Sequence, residues 1–180
     1  MKEDQDFIRE LLDAKTQNTA FQQLVSDYKR PLYNLIRGIV LNHDDTDDVL
    51  QNTFIKVFSN LKNFKGESKL FSWIYRIATN ESITFLQQKA KRNGLTSEAL
   101  QQKNIENLKA DCYFDGDKIQ LKLQQAIAIL PEKQQLVFRM KYFEELKYED
   151  ISTILGTSVG GLKASYHHAV KKIEDFMIAD

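Results

Sequence analysis

Apolar residues recur at intervals of three and four along most of this 180-residue chain, and little interrupts them. Phe21, Leu24, Val25, Tyr28, Leu32, Leu35, Ile36, Ile39 and Val40 keep that spacing, and Val49, Leu50, Phe54, Val57, Phe58 and Leu61 repeat it. This rhythm puts one side of an α-helix into a core and does not fit a half-buried strand, whose period is two. Only seven glycines and two prolines break the chain, so the fold class expected is all-α.

Turn and cap residues set the expected boundaries. A first helix covers Asp6–Ala14, and a second starts near Thr19, with Pro31 predicting a kink or break at Lys29–Arg30. Acids crowd the start of the next helix in HDDTDD, where they favour the positive end of its dipole and Asp44 or Asp45 can cap it. Asn63–Lys69 reads as a loop pivoting on Gly66, with Ser68 as a candidate cap for a long helix from Leu70 to about Asn93. Asn93–Asp117 has a weak apolar rhythm and is expected to be a flexible linker. After it come helices over Ile119–Leu130 and Pro131–Tyr142. The expected organisation is two small helical domains, 1–92 and 118–180, joined by the linker 93–117.

Charge narrows the function. The whole chain is neutral, yet Phe64–Arg92 holds Lys65, Lys69, Arg76, Lys89, Lys91 and Arg92 against only Glu67 and Glu81. Phe64, Phe71, Trp73 and Tyr75 are interleaved with them, the composition of a surface that tracks phosphates and stacks bases. An amphipathic helix with a solvated basic face is the alternative. The N-terminus, MKEDQDFIRELLDAK, lacks the pattern of a secretory signal, and no run approaches the ~20 apolar residues of a membrane span. A soluble, cytoplasmic protein without direct membrane insertion is expected.

Cofactor chemistry finds little support. Cys112 is the only cysteine, which rules out an intramolecular disulfide and a cysteine-based zinc site. His167 and His168 are adjacent and diverge by about 100° on a helix, so no metal or cofactor is expected there. Asp44-Asp45-Thr46-Asp47-Asp48 invites comparison with magnesium–diphosphate motifs, but no second acidic motif follows downstream. Capping or protein docking suits it better, and no enzyme activity is expected.

The C-terminal stretch has the pattern of a helix-turn-helix. Ile151, Ile154 and Leu155 form a buried face, Gly156 permits a left-handed turn, and Ser158 can cap the helix that follows. Leu162, Tyr166, Val170 and Ile173 make the inward stripe of that helix. Its other face carries Gly160, Gly161, Lys163, Ala164, Ser165, His167, His168, Lys171 and Lys172, with no acid. Two glycines cost a helix roughly 1 kcal/mol each, so a plain hairpin would seldom place them there. A face that enters a major groove accounts for them.

These motifs together resemble the extracytoplasmic-function sigma factors. Asp45-Thr46-Asp47-Asp48-Val49-Leu50-Gln51-Asn52-Thr53-Phe54, Phe64-Lys65-Gly66-Glu67-Ser68 and Phe71-Ser72-Trp73-Ile74-Tyr75-Arg76-Ile77-Ala78-Thr79-Asn80 are similar to their region 2. Leu130-Pro131-Glu132-Lys133-Gln134-Gln135, with the helix-turn-helix after it, is similar to region 4. The resemblance implies a specificity subunit of bacterial RNA polymerase, with Asp47, Asp48 and Gln51 contacting the core enzyme. It further implies that Phe64, Lys65, Ser68, Lys69, Trp73, Arg76, Asn80, Lys89, Lys91 and Arg92 recognise and melt the −10 promoter element. Ser158, Val159, Gly160, Gly161, Lys163, Ala164, Ser165, His167 and Lys171 would then read the −35 element as duplex. An anti-sigma factor, in many members a membrane protein, is the implied regulatory partner. Many members carry an acid where Asn52 stands, Asp where Thr84 stands and Arg where Ser165 and His168 stand, so borrowed promoter sequences do not transfer. A stand-alone helix-turn-helix regulator with a helical sensing domain is the alternative function.

Overall fold

The computed structural model describes residues 2–107 and 118–179. All regular structure among them is helical. Helices α1 (Lys2–Leu12), α2 (Gln17–Val40), α3 (His43–Asn60) and α4 (Leu70–Arg92) come first, with a 3-10 turn at Leu61–Asn63. They are followed by α5 (Ser97–Asn107), α6 (Lys118–Ala128), α7 (Glu132–Tyr142), α8 (Tyr148–Leu155) and α9 (Val159–Ile178).

The three long helices α2, α3 and α4 pack on one another because each presents one apolar stripe. Leu24, Leu32, Leu35, Ile36 and Val40 of α2, Val49 and Val57 of α3, and Ile74 and Ala78 of α4 fill the space between them, all buried. Leu11 of α1 closes one end of this core. α2 runs without a break through Pro31, contrary to the expectation at Lys29–Arg30. Proline removes the N–H that would bond the carbonyl of Asp27, but Ser26, Asp27, Lys29 and Arg30 are all exposed, so water is at hand for that carbonyl. Burial of leucines on both sides of the proline keeps the helix whole.

Two caps differ from expectation. Asn42, and neither Asp44 nor Asp45, caps α3: its side chain accepts from the backbone N–H of Asp45 at 3.0 Å. Leu41, at φ 62°, turns the chain so that α3 starts immediately after α2. Asp44 and Asp45 lie in the first turn, where their charge meets the helix dipole. Lys69 occupies the cap position of α4 with no side-chain cap bond, so Ser68 is not the cap either. Gly66 does pivot the loop, at φ 72°.

The expected linker is helical over its first half. Leu100 and Ile105 of α5 are buried, the latter with Leu41 and Ala128, because even a weak apolar rhythm forms a helix where neighbouring surfaces accept it. Residues 108–117, including Cys112, lie outside the described residues.

The C-terminal helices have a core of their own, built by Ala126, Ile127, Leu130, Phe138, Ala169 and Ile173. They do not stand apart from the first four helices. Val137, Met140, Ile151, Ile154 and Leu162 belong to the same continuous apolar cluster as Leu24, Ile36 and Ile74, and α8 lies against α4. Asn42→Ala removes the side-chain acceptor at the start of α3 and is expected to cost about 1 kcal/mol in chemical denaturation. Asp44→Ala removes only an exposed acid of the first turn and is expected to cost less; the reverse order would return the cap to that acid.

Candidate nucleic-acid interface

The loop before α4 and the start of that helix form a shallow depression. Gly66, Ser68, Lys69 and Leu70 line one side of a cavity of about 380 Å³, and Gln5, Ile8 and Arg9 of α1 line the other. The three α1 residues escaped the sequence reading, since nothing in their pattern marks them beyond Arg9 standing on an amphipathic helix. A cation, a hydroxyl and an apolar floor around an open cavity are the groups that hold an unstacked base and its phosphate.

The aromatic residues divide between core and surface. Phe64, one of the residues expected at the −10 strand, is only 8% exposed and packs against Trp73 with ring centroids 5.1 Å apart, so it supports the loop from beneath. Trp73 is half-buried on top of it. Lys65, Lys69, Arg76, Asn80, Lys91 and Arg92 are exposed, and Ser68 is half-buried. Lys89 was expected to hold phosphates; it makes a part-buried ion pair with Asp45 that fastens α4 to α3. Lys56 and Glu81 make a second such tie between the same helices.

α8 covers part of this surface. Lys69 Nζ reaches Asp150 at 2.8 Å, and the Arg76 guanidinium donates to the carbonyls of Ile154, at 3.3 Å, and Thr153. Those carbonyls belong to the last turn of α8, where unsatisfied acceptors and the negative end of the dipole favour a cation. Asn80 borders a cavity of about 290 Å³ between α4 and the C-terminal helices, with Glu132, Lys133 and Thr157 opposite. Tyr75 donates to Glu144 at 3.3 Å. Burial, then the Glu144 charge, pushes the Tyr75 phenol well above its ordinary range. Burial also raises Glu144, partly offset by the bond from Tyr75.

The helix-turn-helix forms as the sequence predicts. Gly156 ends α8 at φ 63°, and Ser158 accepts from the N–H of Gly161 at 3.3 Å to start α9. Leu162, Ala169 and Ile173 are buried, whereas Gly160, Lys163, Ala164, His167, His168 and Lys171 are exposed. Val159, Gly161 and Ser165 are half-buried at the edge of that face. Lys163 Nζ lies 5.8 Å over the ring of Tyr148, on α8.

On α3, Asp47, Asp48 and Gln51 are exposed. The same side continues into Ile55 and Phe58, 56% and 42% exposed, two apolar residues one and two turns further on. Sequence reasoning placed Phe58 in the buried ladder and passed over Ile55; a helix face of acids and amides running into exposed apolar side chains is the form of a protein-docking surface. Among the described residues no helix is long and apolar enough to cross a membrane.

Glu144 lends the contact between α4 and the loop after α7 a dependence on pH. Its folded-state pKa lies above the ordinary value of 4.5, so its carboxyl favours the fold below that value and loses the contribution as pH rises through the raised pKa. Glu144→Gln keeps the acceptor for Tyr75 without the charge. It is expected to raise the thermal midpoint at pH 7 and to match wild type below about pH 4; a variant less stable at pH 7 would contradict this.

Known proteins share this arrangement. The family model described as Sigma-70 region 2 matches residues 24–92, and that described as Sigma-70, region 4 matches residues 120–173. The RNA polymerase sigma-H factor of Pseudomonas aeruginosa is 31% identical over 86% of this chain and 84% of its own length. The ECF RNA polymerase sigma factor SigW of Bacillus subtilis is 30% identical over 85% of this chain and 86% of its own. Among solved structures, the sigma factor RpoE in complex with the anti-sigma factor NepR from Bartonella quintana superposes with a TM-score of 0.67 at 18% identity, covering 89% of this chain and 98% of that one. With both sigma regions matched in order and the relatives aligned over most of its length, the chain belongs to the extracytoplasmic-function sigma factors, which direct transcription initiation by RNA polymerase.

Proposed function

We propose that the sigma factor divides its work among three surfaces. Asp47, Asp48 and Gln51, extended by Ile55 and Phe58, dock the core enzyme. The cavity between α1 and the loop before α4, with Trp73, Arg76 and Asn80 beyond it, receives the melted −10 strand. The exposed face of α9 reads the −35 duplex. Residues 1–92 and 118–180 act as the two working units. The observation that carries this reading is α9, which buries Leu162, Ala169 and Ile173 while presenting Lys163, His167 and Lys171 on an exposed face whose acids, Glu174 and Asp175, come only after Lys172.

The covering of α4 by α8 adds an order of events. Lys69 and Arg76 cannot hold phosphates while they hold Asp150 and the end of α8. The two units therefore separate before the −10 strand binds, whereas the face of α9 is open already. A regulatory partner that favours the closed form, in the manner of an anti-sigma factor, fits this order. A cytoplasmic setting follows from the need to meet polymerase and promoter.

Purified protein, bacterial core polymerase and promoter fragments from the source genome provide the test. Promoter-specific transcripts that require this protein are expected, and failure to bind core or to start transcripts would refute the assignment of surfaces at its root. Lys163→Ala is expected to weaken binding to −35 duplex and to reduce the log–log salt slope by about 1, with core binding unchanged. Equal loss of both would remove Lys163 from the duplex face.

A further inference from the structure

α1 is fixed at its C-terminal end. Leu11 is buried, and Phe7, one turn before it, packs against the same core. The carbonyls of a helix's last turn have no partner within the helix, and here they are bonded from outside it. Thr16 Oγ1 donates to the carbonyl of Glu10 at 2.8 Å, and Gln17 Nε2 donates to that of Leu11 at 3.0 Å. With Phe7 and Leu11 turned to the core, Gln5, Ile8 and Arg9 stand at i, i+3 and i+4 along another side. That side walls the cavity of about 380 Å³ in front of α4.

The two walls of the cavity differ in charge. The loop side offers the Ser68 hydroxyl and the Lys69 cation. On the α1 side the Arg9 guanidinium is paired with Asp6 at 2.9 Å, and that pair brings no net charge to the wall. Gln5, exposed, is the uncharged polar side chain beside it. A carboxamide donates and accepts at once, so it can pair with two neighbouring atoms on a base edge, whereas a cation can only donate. Ile8, half-buried, and Leu70, buried, supply apolar surface to the face of a base. Resting on the assignment of this cavity to the melted −10 strand, we infer that Gln5 is a specificity-determining residue. Its carboxamide reads the edge of the extruded base, while Lys69 holds the adjoining phosphate. α1 is thereby a wall of the recognition site, and the bonds at Glu10 and Leu11 hold that wall in place before DNA arrives.

The test uses the full chain bound to bacterial core polymerase, on promoter fragments that carry each of the four bases in turn at each position of the −10 element. The quantity read is the ratio of transcript between the best and the worst base at each position. In Gln5→Ala this ratio is expected to fall by about 5- to 100-fold at one position and to hold at the others, the range that loss of a bidentate base contact produces. The salt slope of promoter binding is expected to stay the same, because the amide neutralises no phosphate. A merely structural role for Gln5 would instead lower transcription from all fragments alike. Gln5→Glu keeps the acceptor and removes the donor, so at the same position it is expected to disfavour guanine and thymine, with their keto oxygens, relative to adenine and cytosine, with their amino groups. This second variant decides the matter if the first fails to fold. Unchanged ratios in both variants, or uniform loss across the four bases, would overturn the role of Gln5 and leave the assignment of the cavity standing. A wild-type holoenzyme indifferent to the base at every −10 position would refute that assignment, and the role of Gln5 with it.

Discussion

The contact between α4 and α8 organises the molecule, because α4 is asked to do two things with one helix. Its inner side, with Ile74 and Ala78, completes the core of the first four helices. Its next face meets Ile151 and Ile154, and through them Val137, Met140 and Leu162 join the same cluster. Fully burying a side chain of this kind contributes about 1.5–3 kcal/mol before the entropy of holding the two halves together is subtracted. Separation would expose a contiguous apolar strip, which a soluble protein tolerates poorly. An open form of this sigma factor would therefore depend on a partner surface, and core polymerase is the partner its family supplies.

Around that apolar contact the polar groups are matched to groups with another use. Arg76 sits at the carbonyl end of α8, an arrangement in which a helix terminus offers several acceptors and a partial negative charge. A phosphodiester offers the same things to the same guanidinium. On the proposed assignment of surfaces, closed and DNA-bound forms would compete for one set of donors, and the closed form would need no separate inhibitory segment among the described residues. The helix-turn-helix contributes its first helix to this contact and keeps its second out of it, which on the same proposal would leave duplex recognition less obstructed than strand capture.

Local features were legible in the sequence to the extent that short-range chemistry determines them. Gly156 and Ser158 fixed the turn of the helix-turn-helix because a left-handed glycine and a hydroxyl cap act within three residues. The acidic start of α3 was readable, but its cap lay two residues before the first acid, at Asn42, where the chain direction set by Leu41 decides which side chain reaches the free N–H groups. Phe64 shows a harder limit. Alternating aromatics and cations reveal that some rings face solvent and some face inward, but the assignment depends on Trp73 standing above the loop in space. Arg139 was hidden for the same reason: between Phe138 and Met140 its charge suggests a solvated position, and only the approach of α2 at Gly38 buries it. Contacts across more than a hundred residues leave no periodic trace.

The neutral charge of the chain acquires a meaning from these pairings. Lys56, Lys69 and Lys89 surround α4, and each meets an acid, namely Glu81, Asp150 and Asp45. Lys56–Glu81 and Lys69–Asp150, whose lysines are half exposed, each stabilise the fold by about 1 kcal/mol at most, and the more enclosed Lys89–Asp45 also loses solvation on pairing, so their number says little about stability. Their distribution says more. Two of them join α3 to α4 and persist whether or not α8 is in place. The third, Lys69 with Asp150, joins α4 to α8 and is undone by opening. When α8 leaves, it takes Asp150 with it, and the surface around Lys69 and Arg76 gains local positive charge where a phosphate backbone would lie. The basic excess between Phe64 and Arg92 is therefore partly offset where α8 lies on α4, and under the proposed opening the separation that uncovers α4 would also restore the field that attracts DNA to it.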